Sequence, residues 1–112
     1  MSDVLQQLAV ILEQRKSANS DESYVAGLYA KGINKILEKI GEEATETILA
    51  AKEHANNATE RNSESVIKET ADLWFHTLVM LSYLELGPEQ VLEELQKRFN
   101  ISGLAEKASR GK

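Results

Sequence analysis

Between Ile33 and Ala51 the apolar residues Ile33, Ile36, Leu37, Ile40, Ala44, Ile48 and Ala51 recur at steps of three and four. That spacing lays them along one face of an α-helix with 3.6 residues per turn, and it is incompatible with the alternation of a half-buried strand. A second run follows after the polar stretch Asn56-Asn57-Ala58-Thr59-Glu60-Arg61-Asn62, with Val66, Ile67, Leu73, Trp74, Leu78, Leu81 and Leu84 as its apolar positions. Two helices of more than 20 residues joined by a short connection must pack antiparallel, so the chain reads as all-α.

Shorter elements complete the pattern. A first helix is expected from about Asp3, a good N-cap, to Lys16, with Val4, Leu5, Leu8, Ile11 and Leu12 on its stripe. A second spans about Ser23 to Lys31, capped by Ser23, Ser20 or Asp21 and closed by Gly32. The third runs from about Ile33 to Ala55, and the fourth from Asn62 or Ser63 to Leu86. Gly87-Pro88 then marks a boundary, because Gly suits a helix end and Pro the first turn of the next helix. A fifth helix over about Pro88 to Phe99 uses Val91, Leu92, Leu95 and Phe99. The tail 100–112 is polar and basic and is expected to be mobile.

At 112 residues the chain fits one domain, residues 1–112. Its two long helices carry more apolar length than the short ones can cover, so a homodimer is expected to complete a bundle of about five helices per chain. Zero Cys removes thiolate metal sites and cysteine nucleophiles. The N-terminus lacks a basic segment followed by an apolar run, and no apolar stretch is long enough to span a bilayer. Neither a membrane partner nor a nucleic-acid partner is therefore expected, the latter for want of a basic face. A cytoplasmic location is the default expectation, in keeping with the absence of Cys.

The net charge of −5 is local. Residues 38–72 hold nine acids against four bases, which accounts for all of it. Within this stretch Glu43 and Glu46 stand three residues apart, about 4.5 Å along a helix, and project from one face. Glu69 and Asp72 repeat the arrangement on the next long helix. Facing each other, the two pairs would surround one volume with four carboxylates.

Without a cation such a cluster repels itself, and a hard divalent ion reverses the sign. An all-oxygen site suits Mg²⁺ or Mn²⁺ better than zinc. Against this stands the plain alternative that glutamates at this spacing are simply solvated. The neighbours Ala44, Thr45, Thr47, Ala71 and Leu73 favour burial. Glu53, Glu60 and Glu64 flank the polar connection and read as solvated, while Glu42, four residues before Glu46, reads as ligand, second acceptor or surface residue. Lys31, Lys35 and Lys39 step into the acidic patch, as a polyphosphate would require, or else form exposed ion pairs with their glutamate neighbours. His76, four residues after Asp72, is placed to bond a carboxylate or to sit in a core or interface.

The segments Ser23-Tyr24, Gly32 to Glu46 (with Lys-Ile-Gly-Glu-Glu at its centre), Glu69-Thr70-Ala71-Asp72-Leu73-Trp74-Phe75-His76 and Ser102-Gly103-Leu104 to Arg110 together resemble the phosphoribosyl-ATP pyrophosphatase family of histidine biosynthesis, within the all-α MazG-type nucleoside triphosphate pyrophosphatases. Pro88 departs from the pattern at a turn. The resemblance implies Mg²⁺-dependent hydrolysis of 1-(5-phosphoribosyl)-ATP to 1-(5-phosphoribosyl)-AMP and pyrophosphate. It carries the metal-binding and catalytic roles onto Glu43, Glu46, Glu69 and Asp72, with Glu42 as a further candidate ligand. Lys35, Lys39, Lys107 and Arg110 would contact substrate phosphates. The family's cyclohydrolase, often fused, is expected here as a separate chain.

Two other readings compete. One is a house-cleaning pyrophosphatase for free modified (d)NTPs, and the other a non-catalytic helical dimerisation module. A di-iron bundle is disfavoured because Leu73 and Ala51, not Glu, stand three residues before His76 and His54.

Overall fold

A computed structural model describes residues 2–100, and within them the chain forms five helices and no strand: α1 (Ser2–Arg15), α2 (Tyr24–Lys31), α3 (Ile33–Asn56), α4 (Glu60–Tyr83) and α5 (Pro88–Phe99). The basic tail, with Lys107 and Arg110, lies outside the described residues. Among those described, no helix is long and apolar enough to cross a membrane.

The helix ends follow local chemistry, with three corrections to the sequence reading. Ser23 caps α2 by accepting a hydrogen bond from the Ala26 amide at 3.2 Å. Gly32 then closes α2 by donating to the Leu28 carbonyl, while its own carbonyl accepts from Ile36. One residue thus serves two helices, at φ 94° and ψ −176°, which only glycine adopts without strain.

The first correction is that α4 starts at Glu60 rather than Asn62 or Ser63, because Thr59 supplies the cap, accepting from the Asn62 amide at 3.0 Å. The second is that α4 stops at Tyr83 rather than Leu86. There Glu85 takes the left-handed position at φ 62°, Leu86 donates to the Leu81 carbonyl at 2.7 Å, and Glu85 donates to Ser82. Gly87 is left to cap α5, whose first turn holds Pro88. At the other end of the chain, Asp3 lies inside α1, which begins at Ser2.

α3 and α4 pack along each other over their 24 residues each, about 36 Å of helix. The core is confined to one end of this hairpin. There Leu12 of α1 and Leu28 of α2 meet Ile36 of α3 and Leu78, Val79 and Leu81 of α4, with Leu5, Leu8, Val25, Tyr29, Ile40 and Phe75 packed around them. Polar ties reinforce the junction, with the Tyr29 hydroxyl donating to Ser82 at 2.9 Å and Ser82 donating to Glu13 at 3.4 Å. Gln6 of α1 bonds Glu89 of α5.

The far end of the hairpin projects without this support. Ile48, Leu49 and Ile67 are exposed there, as are Trp74, Val91, Leu95 and Phe99 along α4 and α5, and Val4 and Ile11 on α1. Several positions read from the sequence as core are therefore uncovered, since nothing among the described residues lies over them. The radius of gyration of 17.1 Å exceeds the roughly 13 Å of a compact domain of this size.

Candidate functional site

The acids gather where the packed end of the hairpin meets the projecting end. Thr47 fixes their register. Its hydroxyl lies 2.7 Å from the Glu43 carbonyl one turn back and 3.1 Å from the Glu69 carbonyl on α4, sharing one proton between them. With α3 and α4 antiparallel, this brings Glu43 and Glu46 opposite Asp72 and Glu69. Thr47 entered the sequence reading only as a small neighbour of Glu46; its place one turn after Glu43 was the available signal.

Glu43, Glu69 and Asp72 each bring a carboxylate oxygen within 4.8 Å of the other two. Glu43 is the innermost at 6% exposure, whereas Asp72 is exposed and Glu69 half-buried. Burial, then the carboxylates of Glu46 and Asp72, push the Glu43 carboxyl above its ordinary value, against the opposing pull of Lys39. For Glu69 the adjacent Glu46 is the first cause of a rise, burial the second. Glu46 thus stands against both, although it is exposed and outside the tight triad. Glu42 turns away, its exposed carboxylate bound to Lys39 at 3.0 Å and held below its ordinary range by that ammonium.

Two oxygens decide what the cluster can hold. Glu43 Oε2 and Glu69 Oε2 are buried with no hydrogen-bond partner. Buried carboxylate oxygens without donors are costly, and a hard divalent cation is a group whose charge and coordination satisfy them. The donor set is all oxygen, which fits Mg²⁺ or Mn²⁺.

A cavity of about 630 Å³ adjoins the cluster, lined by Tyr24, Lys31, Lys35 and Lys39 together with the turn from Ser20 to Ser23. The ion-pair reading holds for Lys35 and Lys39. Lys35 pairs with Glu38 at 3.4 Å and Lys39 with Glu42 at 3.0 Å and Glu43 at 3.9 Å, yet both face the cavity. Lys39 therefore links the cavity wall to the innermost acid. Toward the α3–α4 connection, Glu46, Glu53 and Glu69 line a smaller depression of about 360 Å³.

His76 does not bond a carboxylate. It is buried, with Nδ1 at 2.7 Å from the Asp72 backbone carbonyl and Nε2 at 2.8 Å from the Tyr24 hydroxyl. This link between α2 and α4 spans 52 positions in sequence, so helical spacing gave no sign of it.

Residues 5–99 match the profile of phosphoribosyl-ATP pyrophosphohydrolase. The chain belongs to this family. Membership in the phosphoribosyl-ATP pyrophosphohydrolase family makes it a hydrolase of phosphoric anhydrides, in histidine biosynthesis, and removes the reading as a non-catalytic dimerisation module. The matched span contains the acid cluster and the lysine-lined cavity and stops before Lys107 and Arg110. A cluster of acids beside a cationic cavity is what a phosphoribosyl-ATP pyrophosphohydrolase needs, since its substrate is polyanionic and its leaving group carries the charge away.

Proposed function

We propose that the chain cleaves the α–β phosphoanhydride of 1-(5-phosphoribosyl)-ATP, giving 1-(5-phosphoribosyl)-AMP and pyrophosphate, with Mg²⁺ as the physiological ion and Mn²⁺ as a substitute. The observation that carries this reading is the convergence of Glu43, Glu69 and Asp72 beside a cavity walled by Lys35 and Lys39.

Glu43, Glu69 and Asp72, joined by Glu46, would hold the ion, and Glu42 serves instead to hold Lys39. A divalent cation held there would supply positive charge against the phosphoryl oxygens and lower the pKa of the attacking water. Lys39 and Lys35 draw the triphosphate into the cavity and offset charge as the anhydride opens. Glu46, exposed at the edge of the cluster, would take the proton of the attacking water. Lys107 and Arg110 would add phosphate contacts from the tail. The working form is a cytoplasmic homodimer in which the uncovered faces of α4 and α5 meet a second copy.

Pyrophosphate release from phosphoribosyl-ATP, with Mg²⁺ and with EDTA, tests the reading. Release that needs the metal and falls away with free (d)NTPs is the expected result. Faster turnover of free modified (d)NTPs would replace it with the house-cleaning assignment.

A further inference from the structure

The His76 ring is 4% exposed and both nitrogens are engaged. A carbonyl only accepts, so Nδ1–H donates to Asp72; Nε2 is then the acceptor of the ring, and the Tyr24 hydroxyl donates to it. The one proton of Tyr24 is thereby committed. Its oxygen retains only lone pairs for anything else that approaches. The Tyr24 ring is held edge-on to His76, with centroids 5.8 Å apart, and stacks on Phe75 at 6.4 Å. Yet the residue lines the cavity beside Lys35 and Lys39, and its surroundings include Glu43 and Glu42.

An oxygen that can only accept does not bind an ionised phosphate, which has nothing to donate. It binds hydroxyl or N–H groups. We infer that Tyr24 contacts the substrate, accepting a hydrogen bond from a hydroxyl or amino group of the nucleoside portion, and that His76 is the positioning residue that holds the Tyr24 oxygen in its acceptor state. The inference rests on the functional reading above. It divides the cavity by chemistry: the lysines recognise phosphate, and Tyr24 recognises the sugar or base. It also ties recognition to the acid cluster, because His76 grips the backbone of Asp72 with its other nitrogen.

Three substitutions test it. In His76→Asn the amide replaces Nδ1 and keeps the Asp72 carbonyl but falls short of Tyr24; in His76→Gln the amide reaches the Nε2 position and keeps Tyr24. Tyr24→Phe removes the acceptor itself. Tyr24→Phe and His76→Asn should each raise KM for phosphoribosyl-ATP roughly three- to tenfold, the range of one hydrogen bond, with kcat little changed. Binding of phosphoribosyl-AMP in EDTA should weaken by the same factor. His76→Gln should restore most of the loss, and the Tyr24→Phe/His76→Asn double variant should be no worse than either single one.

Unchanged KM and product affinity in Tyr24→Phe, equal losses in the Asn and Gln variants, or additive losses in the double variant would each overturn the inference. Should His76→Asn fail to fold, Tyr24→Phe and His76→Gln still decide it. Wild-type chain that releases no pyrophosphate from phosphoribosyl-ATP would bring down the functional reading itself. Active wild type with an unaltered Tyr24→Phe variant would bring down only this step.

Discussion

The Thr47 hydroxyl sits 3.1 Å from the Glu69 backbone carbonyl and 2.7 Å from that of Glu43, so one side chain joins the two helices at the level of the acids. Thr47→Val keeps the shape and removes the bond, at a cost of about 1 kcal/mol. A fall in melting temperature of about 4–8 °C is expected, together with reduced pyrophosphate release. Thr47→Ser should recover both. Thermal melts and turnover on the three proteins check this.

Among the described acids Glu43 is the most buried, and its Oε2 has no hydrogen-bond partner. In metal-free protein Glu43→Gln removes a charge from a self-repelling cluster, so its melting temperature should equal or exceed that of wild type. The response to metal should differ in the opposite sense. Wild type in Mg²⁺ at about 100 times its dissociation constant should gain roughly 2.7 kcal/mol, whereas the variant should gain little. A variant that keeps the full Mg²⁺ shift would remove Glu43 from the ligand set.

The acid cluster also sets a pH dependence. The carboxyls of Glu43 and Glu69 are raised above the ordinary 4.5 in the folded chain, so the folded state binds protons more tightly than the unfolded one. Their contribution to stability is therefore full below about that ordinary value and is lost as pH rises through the elevated ones. Melts in EDTA should show this decline on the alkaline side of 4.5. With Mg²⁺ present the trend should reverse, because the ion competes with those protons and binds better as they leave.

Glu85 holds φ 62° at the end of α4, a conformation that costs a residue with a Cβ about 1–2 kcal/mol. Glu85→Gly should relieve part of this while keeping the bonds from Leu86 to Leu81 and from Glu85 to Ser82. A stabilisation of about 1 kcal/mol without change in turnover is expected, read from chemical denaturation.

Trp74 is 62% exposed and borders an apolar groove formed with Leu5, Leu78, Leu81, Val91 and Leu95. A monomer leaving a tryptophan and such a groove uncovered is unusual. Sedimentation equilibrium should give twice the chain mass for wild type and the single-chain mass for Trp74→Glu. A wild-type monomer at micromolar concentration would refute the dimer.

The helices themselves were legible because hydrophobic periodicity and the breakers Gly32 and Gly87-Pro88 are local properties. The end of α4 was not. Gly87 looked like the closing residue, but Glu85 takes the left-handed position, since Leu86 can then bond back to Leu81. Likewise the pairs Glu43/Glu46 and Glu69/Asp72 were visible from spacing, but spacing treats their members alike. Only packing buries Glu43, leaves Glu46 exposed at the edge, and turns Glu42 out to Lys39.

What the sequence alone determined is the class of fold, the two carboxylate pairs and the cationic stripe leading into them, because each is written in residues three or four apart on one helix. Tertiary structure decided the rest. It closed the triad through the register that Thr47 pins between α3 and α4, and it placed Tyr24 on His76 across 52 residues of chain. Such contacts depend on how two helices approach, and no periodicity within either one encodes the distance between them.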